Sequence, residues 1–254
     1  VTTERRGRLF LIGMDRREKL NGLTPKMFDE LIAAYEELEQ DDDLWVGILF
    51  AHGDHFTAGL DLPKFRERMQ SGQRSSEAAK VDLYGLKLRM TKPMVTAVQG
   101  YTYTAGIEMM LATDMVVAAD DCKFSQLEAT RGIMATGGAT IRFVQRGGWG
   151  NAMYHLLTCD QFDVQEAYRI GLVQEIVPTG EQLDRAIELA EQIAKQAPLA
   201  VRATKANAMT AIMHGEEAAI ADFASIQTRL AHSADAAEGV AGFVERRQPN
   251  FSGK

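Results

Sequence analysis

A carboxylate at the start of a predicted apolar helix is the feature with the clearest chemical use. Residues 102–112 read as a turn of small residues that runs into this helix, with Glu108 in its first turn. The first N–H groups of a helix have no intrahelical partner and carry the positive end of the helix dipole. They can therefore stabilise a developing oxyanion while a carboxylate beside them moves a proton. The apolar neighbours Ile107 and Met109 predict a buried Glu108 with a raised pKa, although a first-turn Glu that only favours the dipole fits the pattern equally well.

A second carboxylate, Glu128, follows twenty residues later within residues 124–128. Alone it is more typical of a surface residue. Two carboxylates that lie close together cannot both ionise cheaply, so a pair would share one proton. Met109 and Met110 are predicted to be core residues rather than ligand contacts.

The loop at residues 51–62 has small residues that allow its backbone to approach a ligand closely. In residues 51–62, the segment 58–61 reads as a tight turn before a helix, and it leaves the Leu60 N–H free to bind a ligand; an ordinary strand-to-helix turn is the alternative. His52 and His55 in this loop have the spacing of metal ligands but no third ligand nearby, so we expect no metal.

A glycine-rich stretch at residues 131–142 looks like a phosphate loop. It lacks the Lys-Ser/Thr ending of a P-loop, and no dinucleotide-binding fingerprint follows a strand. It therefore indicates tight backbone packing more strongly than phosphate binding.

Composition restricts the class of protein. The 254 residues are 46% hydrophobic and 25% charged, with a net charge of −7, which argues against general nucleic-acid or membrane-surface binding. The two cysteines, Cys122 and Cys159, have no metal-ligand spacing, and no apolar run reaches the length of a membrane span. We expect a cytoplasmic α/β protein.

Hydrophobic patterning predicts alternating strands and helices over the first two-thirds of the chain and mainly helices from about residue 137. Thr24 and Pro25 predict the start of one helix, as N-cap and first residue. Residues 63–90 look helical but irregular, with a mobile polar tip at 71–76. Strands are predicted at 8–14, 45–50, 93–98, 114–119, 123–125 and 171–177, and long helices at 181–197, at 200–231 and before Pro249. We divide the chain into a core, residues 1–197, and a helical extension, residues 198–254.

Several of these motifs, in their order and spacing, resemble the crotonase (enoyl-CoA hydratase/isomerase) superfamily. The matching segments are residues 56–62, 92–100, 105–114 and 124–142, and residues 15–23 and 238–254 also fit. The resemblance implies an α/β spiral of repeated ββα units with a C-terminal helical trimerisation region. It also implies a homotrimer or a dimer of trimers that binds an acyl-CoA thioester.

The resemblance assigns roles to individual residues. It implies an oxyanion hole made by the backbone N–H groups of Leu60 and Ala105, with Glu108 and Glu128 as the two catalytic glutamates of a hydratase. Three positions depart from typical hydratases, which carry glycine at Ala105, proline at Ala135 and glycine at Thr136. Further residues expected to bind the substrate or its CoA part are Lys19, Ala58, Asp61, Lys64, Ala135 and, towards a neighbouring subunit's ligand, Phe251 and Lys254. No separate cofactor is expected, because coenzyme A is part of the substrate.

The predicted activity is reversible syn hydration of a 2-enoyl-CoA to a 3-hydroxyacyl-CoA. A Δ3–Δ2 enoyl-CoA isomerase, in which one glutamate shuttles a proton, is the alternative within the family. A non-catalytic homologue that binds RNA is a third possibility, disfavoured by the acidic balance.

Overall fold

A six-stranded sheet forms the first layer of the computed structural model, which describes residues 1–71 and 81–254. Its strands are β1 Thr2–Arg6, β2 Leu9–Met14, β3 Val46–Ala51, β4 Met94–Val98, β6 Met115–Ala119 and β9 Glu175–Val177. They lie side by side in this order; β1 is antiparallel to β2 and the others run parallel. Parallel strands buried on both faces read as continuous apolar runs, and this is how the sequence predicts β2, β3, β4 and β6.

A second, smaller sheet creates the repeat. It consists of β5 (Tyr101–Tyr103), β7 (Lys123–Ser125) and β8 (Phe162–Asp163), and Thr57 extends it by a parallel bridge to Thr102. Strands β4 and β6 are each followed by a short strand of the second layer, β5 or β7, and β3 is followed by the Thr57 bridge; a helix comes next in all three cases. The predicted spiral of ββα units is confirmed.

Helices follow the strands of each turn. The predicted start of α1 is confirmed, because the Thr24 side chain accepts a hydrogen bond from Met27 N at 3.2 Å. The bounds are α1 Pro25–Gln40, α2 Leu62–Ser71, α3 Ala105–Ala112, α4 Ala139–Thr158, α5 Val164–Arg169, α6 Gln182–Ala194, α7 Pro198–His214, α8 Glu216–Ala221, α9 Phe223–Ala231 and α10 Ala234–Glu245. No helix within residues 1–71 and 81–254 has both the length and the apolar character needed to cross a bilayer.

Some predicted elements were wrong. Of the irregular helix expected over 63–90, the described residues up to Ser71 are helical, whereas the described residues 81–90 form turns and bends. The polar tip at 71–76 lies, apart from Ser71, outside the described residues. The helix expected at 200–231 is three helices: Gly215, with φ +91°, separates α7 from α8, and Asp222 separates α8 from α9. Of the strand expected at 171–177, only residues 175–177 pair with a neighbouring strand. The sequence did not indicate β1, β5, β8 or α5.

Two apolar clusters lie on opposite faces of the main sheet. One contains the apolar sides of α1 and α3 together with the second layer. The other lies under α6, whose Ala186 and Ala190 are fully buried against β2, β3 and β4. The core therefore holds α3, and with it Glu108, rigidly between the layers.

The division of the chain into a core, residues 1–197, and a helical extension, residues 198–254, stays a prediction.

Candidate active site

Gly59 and Thr104 join the two predicted oxyanion loops. A Cβ at Gly59 would lie only 2.0 Å from Thr104 Oγ1, so the two residues are packed against each other. Gly59 has φ +97°, and Thr104, the N-cap of α3, has φ +50°, a conformation that a β-branched residue rarely adopts. Such local strain persists where surrounding structure enforces it, often at functional sites. The contact brings the backbone at Leu60 close to that at Ala105.

Thr57 ties the first of these loops to the second layer. Its backbone N–H donates to Tyr101 O at 3.0 Å, and its carbonyl accepts from Tyr103 N at 3.0 Å. The Thr57 hydroxyl bonds both Asn21 O and Gly59 N. The turn that ends at Leu60 is therefore held against the strand that leads into α3.

The N–H groups of Leu60 and Ala105 are available for a ligand. Within residues 1–71 and 81–254, neither donates to a protein acceptor. Ala105 is the first residue of α3, where a helix leaves its N–H groups unpaired. The geometry is compatible with two N–H donors on one oxyanion, and the assignment of these two residues stays a prediction.

Glu108 is buried, as its apolar neighbours predict. Its exposed fraction is 4%, and the two methionines that follow it are core residues. Its Oε1 accepts hydrogen bonds from Gly137 N at 2.7 Å and Ala139 N at 3.2 Å. Burial, helped by the negative charge of Glu128, raises the pKa of Glu108 to about 7, against the lowering effect of the two N–H bonds and of Arg142. A carboxyl group with this pKa can both give and take a proton near neutral pH.

The glycine-rich stretch holds this carboxylate. The backbone N–H groups of Gly137 and Ala139 in this stretch donate hydrogen bonds to the Glu108 carboxylate. The anion bound by this loop, which resembles a phosphate loop in sequence, is therefore a side chain of the protein. A Cβ at Gly137 would lie 2.5 Å from Glu108 Oε2, so only glycine leaves room here. The interpretation as tight backbone packing is confirmed.

Glu128 lies at the start of a short 3-10 turn directly after β7. Its Oε1 accepts from Gln126 Nε2 at 3.2 Å, and its Oε2 is buried without a partner among the described residues. Burial raises the pKa of Glu128, although the positive charge of Arg131 opposes the shift. Because its charge also acts on Glu108, the two carboxyl groups share one electrostatic environment. The two predicted glutamates therefore lie within electrostatic range of each other.

The remaining predicted contacts of the CoA part lie around residues 16–22 and 58–64. Lys19 and Lys64 have exposed side chains, and Ala58 N donates to Leu20 O at 3.0 Å, next to Lys19. Asp61 forms an ion pair with Arg16, with Nη1 and Oδ2 3.0 Å apart. The Asp61 carboxylate thus has a structural partner within the chain, and its proposed contact with substrate stays a prediction.

The other predicted residues lie in different surroundings. Ala135 is buried and Thr136 exposed, just before the Gly137 turn. Phe251 packs against the apolar cluster under α6 of its own chain, and Lys254 O accepts from Asp235 N at 3.1 Å. Their expected role towards a neighbouring subunit's ligand stays a prediction.

The two loop histidines each bind a protein group. His52 Nε2 is 2.8 Å from Thr2 Oγ1, and His55 Nδ1 accepts from Tyr101 N at 3.1 Å. The His55 ring also stacks on the Tyr101 ring with centroids 4.3 Å apart. These contacts give both side chains a role in packing the loop.

Two residues near Glu108 were missed by sequence reasoning. Arg142 is buried in α4 and donates to Gly85 O at 2.9 Å and to Gly137 O at 3.4 Å. Tyr84 lies in the turn that Arg142 holds. The paired glycines 137–138 were the only local signal that a side chain is packed against this backbone.

Three comparisons with known proteins agree with this geometry. The sequence profile described as enoyl-CoA hydratase/isomerase matches residues 4–254. The chain is 31% identical to enoyl-CoA hydratase EchA19 of Mycobacterium tuberculosis, over 99% of this chain and 96% of that protein. It is 29% identical to 2,3-dehydroadipyl-CoA hydratase of Escherichia coli, over 100% and 99% of the two chains. A solved structure of a probable enoyl-CoA hydratase/isomerase from Mycobacterium abscessus superimposes with a TM-score of 0.96 at 42% identity, covering 100% of this chain and 98% of that one.

Proposed function

Because the chain belongs to the enoyl-CoA hydratase/isomerase family, we propose that it is an enoyl-CoA hydratase, which adds water reversibly and in syn fashion to a 2-enoyl-CoA thioester. The observation that carries the proposal is the pair of carboxyl groups, Glu108 and Glu128, both with raised pKa values, beside the start of α3. An acyl-CoA substrate agrees with the names of the two relatives, an enoyl-CoA hydratase and a 2,3-dehydroadipyl-CoA hydratase.

The proposed oxyanion hole acts on the thioester carbonyl. The N–H groups of Leu60 and Ala105 would bind its oxygen and stabilise the enolate-like charge that develops as water adds. Removing one such donor from an acyl-transfer site costs about 3–4 kcal/mol of transition-state stabilisation. Preorganisation of this kind is supported by the tight contact between Gly59 and Thr104.

The two glutamates would hold the water between them. One takes a proton from the water as its oxygen attacks the β-carbon, and the other, protonated, delivers a proton to the α-carbon. Burial raises the pKa of both groups, that of Glu108 to about 7, so a carboxyl group of this site can carry a proton near neutral pH. General acid–base catalysis of this kind contributes roughly 10²–10⁴-fold to the rate.

The proposal is tested with crotonyl-CoA and with a longer 2-enoyl-CoA. Loss of the conjugated-enoyl absorbance, with a product heavier by one water, is expected from the wild-type chain. Glu108→Gln and Glu128→Gln should each lower kcat by at least about 10²-fold, because each removes one proton-transfer group. Glu191→Gln, at an exposed position of α6, is the matched control. Wild-type rates in both site variants would refute the assignment.

Isomerisation of a 3-enoyl-CoA is the second candidate. It is favoured by one asymmetry of the site: Glu108 is held by two backbone N–H groups, whereas Glu128 has a single hydrogen bond from Gln126. An isomerase would keep its activity in Glu128→Gln and would form no hydroxyacyl product.

A homotrimer, or a dimer of trimers, is the assembly we propose. Large apolar side chains are exposed on α4 and α10, among them Trp149 at 71%, Leu157 at 72% and Phe243 at 86%. Large apolar side chains exposed to this extent support a protein contact on these helices. Light scattering on the purified chain should give three or six times the mass of one chain, and a monomer would refute the proposal.

The cytoplasm is the location we propose, since both cysteines are buried free thiols.

A further inference from the structure

Arg146 of α4 binds the C-terminal end of the helix that carries Glu108. Its Nη2 donates hydrogen bonds to Leu111 O at 3.2 Å and to Thr113 O at 2.8 Å. The last carbonyl groups of a helix have no intrahelical partner and carry the negative end of the helix dipole. A guanidinium stays charged in a protein, so Arg146 both serves these acceptors and stabilises the dipole of α3. The mechanism above gives this side chain no role.

The first turn of α3 is bound to α4 as well. Glu108 lies in this turn, and its Oε1 accepts from Gly137 N and Ala139 N, where α4 begins. Each helix thus places a charged side chain at an end of the other, a carboxylate at the positive end of α4 and a guanidinium at the negative end of α3. These two contacts together fix α3 relative to the loop that holds the carboxylate.

The position of α3 depends on such contacts because the helix is short. It has eight residues, and a helix of this length is not stable by itself in water. At its C-terminal end the Thr113 hydroxyl donates to Met110 O at 2.7 Å and lies 2.7 Å from Thr96 Oγ1 of β4. Thr113 therefore ties this end to the main sheet, and Arg146 ties it to α4.

The backbone of Arg146 is itself held in place. A Cβ on Gly171 would lie 3.3 Å from Arg146 O, so the turn that contains Gly171 packs closely against it. Burial lowers the pKa of Arg146, and the negative charge of Asp114 opposes the shift. Its Nη1 is buried without a partner in the described part of the chain, so Nη2 carries the connection to α3.

We propose that Arg146 is a positioning residue, which by holding the end of α3 keeps Glu108 in register with the N–H groups that start α4. Ala105, whose N–H is the proposed oxyanion donor, is the first residue of the same helix and moves with it. A shift of α3 would therefore disturb proton transfer and oxyanion stabilisation together. For its kinetic readout the inference rests on the proposed hydration.

Arg146→Met removes the guanidinium and keeps a side chain of similar length. Because the two N–H bonds favour ionised Glu108, weakening them should raise the pKa of Glu108 by about half a unit to one unit. We expect kcat to fall about tenfold, since a misplacement of about 1 Å costs about 10²-fold, and KM to change less than about twofold. The other groups that face the Glu108 carboxyl, namely Glu128, Arg142 and Tyr84, are unchanged.

Arg146→Lys should restore most of the rate and of the titration. One nitrogen of Arg146 serves both carbonyl groups, and a lysine ammonium likewise carries its three N–H donors on one nitrogen. A lysine variant no better than Arg146→Met would contradict the role given to these hydrogen bonds. Arg146→Gln, which is neutral and shorter but polar, carries the test if Arg146→Met does not fold.

Lys92→Met is the matched control. Lys92 is buried and binds the end of another helix in the same manner: its Nζ donates to Leu38 O at 2.7 Å and to Asp41 O at 2.6 Å, at the C-terminal end of α1. Since α1 carries no predicted residue of the site, this variant should lose thermal stability but keep kcat and the Glu108 titration.

A readout without turnover separates this inference from the proposed function. In a Glu128→Gln background, infrared difference spectra follow the ionisation of Glu108, identified as the band that Glu108→Gln removes. Adding Arg146→Met should raise this pKa, and adding Lys92→Met should not. If the wild-type chain hydrates no enoyl-CoA, the proposed function fails while this titration still decides the role of Arg146. The inference is overturned if Arg146→Met matches Lys92→Met in both kcat and the Glu108 titration.

Discussion

Substituting Gly137 by alanine is the most direct test of how the backbone positions Glu108. The new methyl group would stand 2.5 Å from Glu108 Oε2 and 2.7 Å from its Cδ, well inside the separation of about 3.5 Å at which non-bonded atoms pack. The carboxyl group must therefore move by about 1 Å, and a misplacement of that size costs about 10²-fold in rate.

The same displacement disturbs the hydrogen bond from Gly137 N, which is 2.7 Å long. A hydrogen bond to a charged group contributes roughly 1.5–3 kcal/mol, which at 1.36 kcal/mol per unit corresponds to about one to two pKa units. Because this bond favours the ionised form, its loss raises the pKa of Glu108 above its value of about 7. We expect kcat/KM for crotonyl-CoA to fall about 10²-fold and its pH profile to shift upward.

Gly150→Ala in α4 is the matched control, because a Cβ there meets no atom within 4 Å. Alanine in a helix interior is favoured over glycine by up to about 1 kcal/mol, so this variant should be active and slightly more stable. Rates and pH profiles are measured for both variants, together with their thermal midpoints. If Gly137→Ala kept wild-type kcat/KM and an unshifted profile, the argument that this loop positions Glu108 would be wrong.

Two further predictions concern the strained loop and the buried charge. Gly59→Ala should lower kcat by about 10²-fold, because its Cβ would collide with Thr104 Oγ1 at 2.0 Å; Gly180→Ala, with a similar φ of +101° and open space, controls for backbone strain and should keep its rate. Equal rates in the two variants would contradict the proposed positioning of the loop. For Glu108, the pKa rises from 4.5 to about 7 on folding, so the free energy of unfolding falls as pH rises through this window. Glu108→Gln cannot ionise, so urea titrations should show its stability relative to wild type rising by about 3 kcal/mol across the window; a constant difference would show that Glu108 is not protonated on folding.

Much of the fold could be predicted because it depends on local pattern. The apolar runs of β2 and β4 are buried on both faces, and the Thr24–Pro25 pair starts α1 where capping chemistry places it. The burial of Glu108 also followed from its immediate neighbours. In each case the information lies within a few residues of the position concerned.

Other features depend on contacts between distant segments. Strands β5 and β8 have three and two residues, so they carry too little periodicity to be recognised, and they exist because neighbouring turns of the spiral pair with them. The conformation of residues 81–90 depends on contacts with Arg142 and Phe28, which are distant in sequence, and not on the helical pattern of the segment itself.

Local sequence patterns were enough to predict an α/β chain with a buried acidic residue in the first turn of an apolar helix, and a glycine-rich stretch that packs tightly. What that stretch holds became visible only in three dimensions, where the N–H of Gly137 donates to a carboxylate 29 positions earlier in the chain. The ring edge of Tyr84 likewise reaches the Gly137 backbone from a distant turn. The physical reason is that such contacts arise when successive ββα turns stack, and no local propensity encodes which loops then meet.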